Sequence, residues 1–217
     1  MAGISNDSTA IFFEDQASDA RAAEIRRFRK RIFVEDKGWK LRVSGEEERD
    51  DYDACGAILC GLWQDQRLTG SFRAQRCDRP YLSAEVFPHL ADNQPLPDAS
   101  DAWEISRFAA APNRSDAGVQ LYALLMAFAQ ARSARCLIAV ADMQHERLMR
   151  RLGIVTRRYG ELKQVGLDRC QKPIFAVLGE IPIASQPAEV LEKLAQSLQK
   201  VEIIDETLVF GHFALSA

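Results

Sequence analysis

The run Glu46-Glu47-Glu48-Arg49-Asp50-Asp51-Tyr52-Asp53 places six carboxylates in eight positions directly before an apolar stretch. Charge this dense is either the solvated rim of a loop or the wall of a pocket for a cation. The order lacks the Asp-x-Asp-x-Asp-Gly pattern of a calcium loop, so on the second reading a cationic organic ligand fits better than a metal. A second segment, Trp103-Glu104-Ile105-Ser106-Arg107-Phe108, sets a carboxylate and a guanidinium three apart inside a run otherwise suited to a buried strand. Buried charges need partners. Strand side chains alternate with period two, which puts Glu104 and Arg107 on opposite faces unless a bulge brings them together. The pair is either an ion pair tying sheet to helix or part of a site. Arg29 beside Phe33, Trp39 in a loop and Arg73 at a strand end are ordinary one by one. The histidines His89, His145 and His212 lie far apart and have no metal-ligand spacing.

The hydrophobic pattern outlines the elements that must position these residues. Over residues 18–33, Ala22, Ile25, Phe28, Ile32 and Phe33 space as an amphipathic helix ending near Glu35, and residues 36–53 have no sustained period and read as a loop. Residues 57–63 and 67–74 form an antiparallel hairpin across Gln64-Asp65-Gln66. An excursion punctuated by Pro80, Pro88, Pro95 and Pro97 leads to a third strand at 103–111. A helix at 120–135, a strand at 136–141, a helix at 145–152 and a strand at 173–179 follow, an order that lays helices over the faces of a sheet. After Ser185, the residues Val190, Leu191, Leu194, Leu198 and Val201 space as a helix, followed by an apolar run at 207–213. The chain therefore divides into a main domain, residues 1–184, and a C-terminal helical extension, residues 185–217, packed on that domain or on a partner subunit.

Lys and Arg number 28 against 31 Asp and Glu, a net charge of −3 over 217 residues, which offers no basic footprint for nucleic acid. No apolar stretch approaches the roughly 20 residues of a membrane-spanning helix. Residues 1–15 are polar and acidic and lack the order of an export signal, so a cytoplasmic location is expected. Cys55, Cys60, Cys77, Cys136 and Cys170 are odd in number, have no CxxC pair, and read as small buried thiols.

In combination, Arg29-x-x-x-Phe33, Gly38-Trp39, Glu48-x-Asp50-x-x-Asp53, Gly70-x-x-Arg73, Phe87 and Glu104-x-x-Arg107-Phe108 resemble, in order and spacing, the acyl-homoserine-lactone synthases, the autoinducer synthases of quorum sensing. The back half matches through its helix–strand–helix order and the Arg151-Leu152-Gly153 turn. The resemblance implies an α/β fold similar to the GNAT N-acyltransferases: a three-layer α/β/α sandwich with a mixed, V-splayed central sheet. It implies acyl transfer from acyl carrier protein, or from acyl-coenzyme A, to the amine of S-adenosylmethionine (SAM). Lactonisation then releases methylthioadenosine (MTA). SAM is a substrate, and no cofactor or metal is implied.

By the same resemblance Glu104, Asp50 and Ser106 carry catalysis. Glu104 acts directly or through a held water, and Asp50 holds or deprotonates the ammonium. A rim of Glu48, Asp50 and Asp53 offers negative charge to the substrate, while Asp53 and Arg73 order the loop by ion pairing. Arg29 and Arg107 anchor the substrate carboxylate or brace Glu104, and Phe33, Trp39, Phe87 and Phe108 complete the SAM pocket. Oxyanion donors are expected along residues 106–109. The acyl chain is assigned a tunnel walled by Leu121, Leu125, Met126, Leu137, Ala139, Met149 and Leu152, and the absence of a hydroxyl at Ala139 points to an acyl group without a 3-oxo substituent. Arg147, Arg150 and Arg151, with Arg157 and Arg158, are expected to dock an acidic carrier. The alternatives are an N-acyltransferase acting on another amine, against which the single glycine of residues 112–118 counts, and a silent sensor of SAM or acyl carrier.

Overall fold

The structure, a computed structural model, describes residues 8–53, 56–112, 114 and 116–208. Its first strand, β1 (Ser8–Glu14), sends Ala10 and Phe12 into one core and Ile11 and Phe13 into another, so both of its faces are covered. Helix α1 (Ala20–Arg29) starts at Asp19, whose carboxylate accepts a hydrogen bond from the Arg21 N–H. The helix expected to continue to residue 35 widens at Lys30 into a π-helical turn, Lys30–Asp36. The segment read as a loop holds a small hairpin of β2 (Val43–Ser44) and β3 (Glu47–Glu48).

Strands β4 (Ile58–Gln64) and β5 (Arg67–Arg76) form the expected hairpin, and a short helix α2 (Leu82–Val86) sits in the proline-punctuated excursion before β6 (Ala102–Ala110). Helix α3 (Ala117–Ala131), β7 (Cys136–Asp142) and α4 (Met143–Leu152) follow. Asp142 caps α4 at its start, and Gly153 ends it at φ +77°, a conformation that favours glycine. The chain continues through β8 (Arg157–Arg158), β9 (Lys163–Leu167), β10 (Pro173–Pro182), α5 (Ala188–Gln196) and β11 (Val201–Asp205).

The main sheet runs β11-β1-β4-β5-β6-β7-β10-β8, with β9 also on β10; β1/β11 and β6/β7 pair parallel and the rest antiparallel. Helix α1 covers one face, and α3 and α5 cover the other. Strand β1 was not expected, because the polar start of the chain masks its Ile-Phe-Phe centre. Strands β8 and β9 were not expected either, since they are short and half exposed. The final strand precedes the apolar run assigned to 207–213, most of which lies outside the described residues. Helix α5 packs on α3 and β11 pairs with β1, so the segment after Ser185 adds a helix and an edge strand to the same sheet. Cys60, Cys77 and Cys136 are buried as expected, Cys170 is exposed on a turn, and Cys55 lies outside the described residues.

Strands β6 and β7 pair only through Ala102↔Cys136, Trp103↔Leu137 and Glu104↔Ile138. Beyond Glu104 both continue without mutual register, and the sheet opens into a V. The cause lies in β6. Between Ser71↔Ala109 and Arg73↔Ser106, Arg107 and Phe108 together face the single residue Phe72, and Arg107 takes φ +53°. This bulge bends the strand and settles how Glu104 and Arg107 are arranged along it.

Phe128 packs edge-on against Trp103 with ring centroids 5.0 Å apart, beneath the Arg132 guanidinium at 4.0 Å. Phe128→Ala should cost about 3–5 kcal/mol in chemical unfolding. A loss under about 1 kcal/mol would contradict this packing.

Candidate active site

Six of the seven charged residues of the sequence pattern, all but Glu104, meet in a closed ring. Arg29, the last residue of α1, bridges Glu48 of β3 and Asp53 of the following loop, reaching the latter at 2.8 Å. Arg73 of β5 bridges Asp53 at 2.8 Å and Asp50 at 2.9 Å. Arg107 of the bulge bridges Asp50 at 2.7 Å and Glu48 at 2.9 Å. Three guanidiniums and three carboxylates alternate, each touching two of the other kind, and their formal charges cancel. Arg29, Arg73 and Glu48 are at most 1% exposed. Burial pushes the Asp53 carboxyl up, but Arg29, Arg73 and the Asp50 N–H together hold it well below the usual carboxylate range. Asp50 is likewise pushed up by burial and held low overall by Arg73 and Arg107.

This arrangement corrects the expected anionic rim: Glu48, Asp50 and Asp53 are neutralised in pairs. Of the ring, only Arg107 lines the cavity among the described residues; Arg29, Glu48, Asp50, Asp53 and Arg73 stand behind its wall. The cavity, about 540 Å³, fills the V between β6 and β7. Phe33, Trp39, Phe87, Glu104, Ser106 and Arg107 line it from the α1, α2 and β6 side, and Phe108, Leu125, Leu137, Ala139 and Met149 line it toward α3, β7 and α4. Leu121, Met126 and Leu152, assigned to the acyl wall, do not line it. The face of α3 through Tyr122 and Leu125 borders the cleft, whereas Leu121 sits over Gly70 of β5, where a Cβ would lie 2.8 Å from its Cδ1. Met126 and Leu152 pack in the main core. Arg147, Arg150 and Arg151 are exposed on α4, outside the cavity.

Glu104 is 1% exposed, and its carboxylate accepts from the Leu82 N–H at 3.0 Å, from the Ser83 N–H at 2.6 Å and from the Ser83 hydroxyl. Burial raises its affinity for a proton, against the opposing pull of Ser83, Arg73 and Leu82. Two carboxylate oxygens offer about four acceptor positions, so one remains open on the oxygen facing Leu82. Ser106 Oγ accepts from Arg73 Nε at 3.0 Å and is thereby tied to the charged ring. Phe33 and Trp39 stack with centroids 5.1 Å apart, and Lys37 Nζ lies 4.9 Å from the Trp39 centroid and 3.1 Å from an Asp142 oxygen. That contact straps the aromatic pair to the start of α4.

Sequence reasoning missed Ser83, Lys37, Tyr122 and His145, all in or at the cavity. Ser83 acts partly through its backbone, and Tyr122 and His145 meet across two helices, at 3.0 Å between the phenol oxygen and Nδ1. No local spacing announces either.

Residues 14–182 match the family model described as autoinducer synthase. The chain belongs to the autoinducer synthase family. An acyl-homoserine-lactone synthase of Acinetobacter nosocomialis is 31% identical over 160 residues, covering 68% of this chain and 87% of the relative. The structure of TofI in a ternary complex with an inhibitor and MTA is 31% identical with a TM-score of 0.72, covering 85% of this chain and 96% of that one. The coenzyme A-dependent acyl-homoserine lactone synthase BjaI, with SAM and isopentyl-CoA, shares the fold at 21% identity with a TM-score of 0.79, covering 93% of this chain and 95% of that one. The autoinducer synthase fold here is the expected GNAT-like α/β sandwich, and the protein is an acyltransferase.

Arg73→Met leaves Asp50 and Asp53 short of a partner and should cost about 3–5 kcal/mol. The native-state pKa values of both carboxyls lie below their unfolded value of about 3.9, so their stabilisation is full above about pH 5 and is lost as pH falls through the native values. Urea unfolding measured against pH should therefore show a shallower acid limb in the variant. An acid limb identical to the parent's would contradict the assignment.

Proposed function

We propose that this autoinducer synthase makes an acyl-homoserine lactone by transferring an acyl group from a thioester to the α-amine of SAM and closing the lactone with release of MTA. The observation that carries the reading is the position of Glu104. Its buried carboxylate, with one open acceptor position, stands where β6 and β7 part, in the wall of the cavity that the stacked Phe33 and Trp39 also line.

The chemistry divides the carboxylates by environment. A reference α-amino pKa of about 7.7–8.0 leaves roughly a tenth to a fifth of the SAM amine free at pH 7, so a modest base suffices. Glu104, whose affinity for a proton is raised by burial, takes that proton directly or through one water. Asp50, held anionic by Arg73 and Arg107 behind the cavity wall, is the poorer base and serves to fix Arg107 rather than to meet the ammonium. Arg107 meets the substrate carboxylate, and the interrupted ladder at the bulge supplies backbone donors for the oxyanion. The amine forms its bond to the carbonyl carbon, the carbon–sulfur bond of the thioester breaks, and the thiol leaves with the proton. A carboxylate oxygen of the acylated product then attacks its own γ-carbon, and the sulfonium carbon–sulfur bond breaks with its electron pair going to sulfur.

The exposed Arg147, Arg150 and Arg151 beside the cavity support an acidic acyl carrier protein as donor, with acyl-coenzyme A the competing donor. Among the described residues no helix is long and apolar enough to cross a membrane. Both substrates belong to the cytoplasm, where we place the reaction.

Protein mixed with SAM and a panel of carrier and coenzyme A thioesters should yield lactone and MTA together by mass spectrometry. Glu104→Gln should lower kcat about 10²–10⁴-fold while leaving the unfolding transition in place. Acylated amine without MTA would assign the protein to another N-acyltransferase reaction, and full turnover in the variant would remove Glu104 from the mechanism.

A further inference from the structure

Two polar rings in mutual contact, Tyr122 and His145, interrupt the apolar side of the cavity. His145, in the first turn of α4, stands edge-on to Phe108 at 5.0 Å between centroids, with Leu125, Leu137 and Met149 in the same wall. Burial lowers its affinity for a proton, with Lys37 adding to that effect and Asp142 opposing it, so the imidazole is neutral. A neutral imidazole presents one donor and one acceptor nitrogen. The Nδ1 partner is Tyr122, whose phenol burial keeps protonated and whose hydroxyl has no other partner among the described residues. In the tautomer in which the phenol donates to Nδ1, the remaining hydrogen sits on Nε2. Nε2 has no protein partner among the described residues and is not one of the sealed, unsatisfied polar atoms of the interior.

The charged groups nearby are engaged elsewhere: Glu146 with Arg158, Glu180 with Arg157, and Asp142 with Lys37. An N–H left open in an apolar wall costs free energy unless something bonds to it. Resting on the synthase reading above, we infer that His145, fixed by Tyr122, selects an acyl chain carrying an oxygen that accepts a hydrogen bond. The hydroxyl that Ala139 lacks on β7 is thus replaced by a donor from the facing helix, which readmits the 3-oxo substituent that Ala139 alone argued against.

The test compares kcat/KM for thioesters of matched length, unsubstituted, 3-oxo, 3-hydroxy and hydroxyaryl, read as MTA release. At least one oxygen-bearing donor should exceed its unsubstituted match by about tenfold. His145→Leu should bring that ratio to near one while turnover of the unsubstituted donor persists, and His145→Gln, which keeps an N–H, should restore part of it. Both donors are measured on one preparation, so the ratio does not depend on how much of a variant is folded. Which donor leads distinguishes a keto, hydroxyl or phenol oxygen. An unsubstituted donor preferred by the parent protein, or a ratio unchanged in His145→Leu, would overturn the inference. Absence of MTA with every donor would overturn the synthase reading beneath it.

Discussion

The ring of Arg29, Glu48, Asp53, Arg73, Asp50 and Arg107 is the interaction on which the rest of the cleft depends. It is drawn from a helix end, a short hairpin, a loop and two neighbouring strands, and its alternation of sign leaves no buried charge unmatched. A pair of buried ions gains little once desolvation is counted, yet losing one partner is costly. Six that share partners hold several elements in one geometry, because displacing any one of them leaves two others incomplete. The ring thus serves orientation: it ties the acidic loop to the sheet and presents Arg107 and Ser106 at the cavity wall.

The same strand carries the second constraint. Had β6 continued its ladder, its side chains would have alternated into two filled cores and no cleft would exist. The extra residue at Arg107 and Phe108 turns the strand away from β7 just past Glu104. A non-glycine residue at positive φ persists where its surroundings over-determine it, and here the guanidinium of Arg107 is fixed at both Glu48 and Asp50. The strained backbone and the ion ring therefore sustain one another.

Much of this was legible in the sequence. The hairpin of β4 and β5, the strands β6, β7 and β10 and the helices α3 and α4 follow from hydrophobic period; the carboxylates of the ring and Arg107 stood out by their density and setting, and Arg29 and Arg73 only through the family resemblance. Their sign was legible, but their pairing was not, since Glu48 and Arg107 are joined only by the fold. The acyl wall was half legible: Leu125 and Leu121 occupy equivalent helical positions, and only the splay of the sheet decides that one borders space and the other fills it. Ser83 and the Tyr122–His145 contact left no trace, because each depends on a neighbour from a separate element.

Strand β11 has a consequence for how the molecule keeps to itself. It lies along β1, whose Ile-Phe-Phe centre would otherwise offer a bare row of amides and carbonyls to any passing chain. The edge that β11 shows in turn is five residues long and carries the exposed Glu202, a short border that another strand would approach against a charge. A chain ended before α5 would give up that cover and turn its own first strand into a seed for self-association.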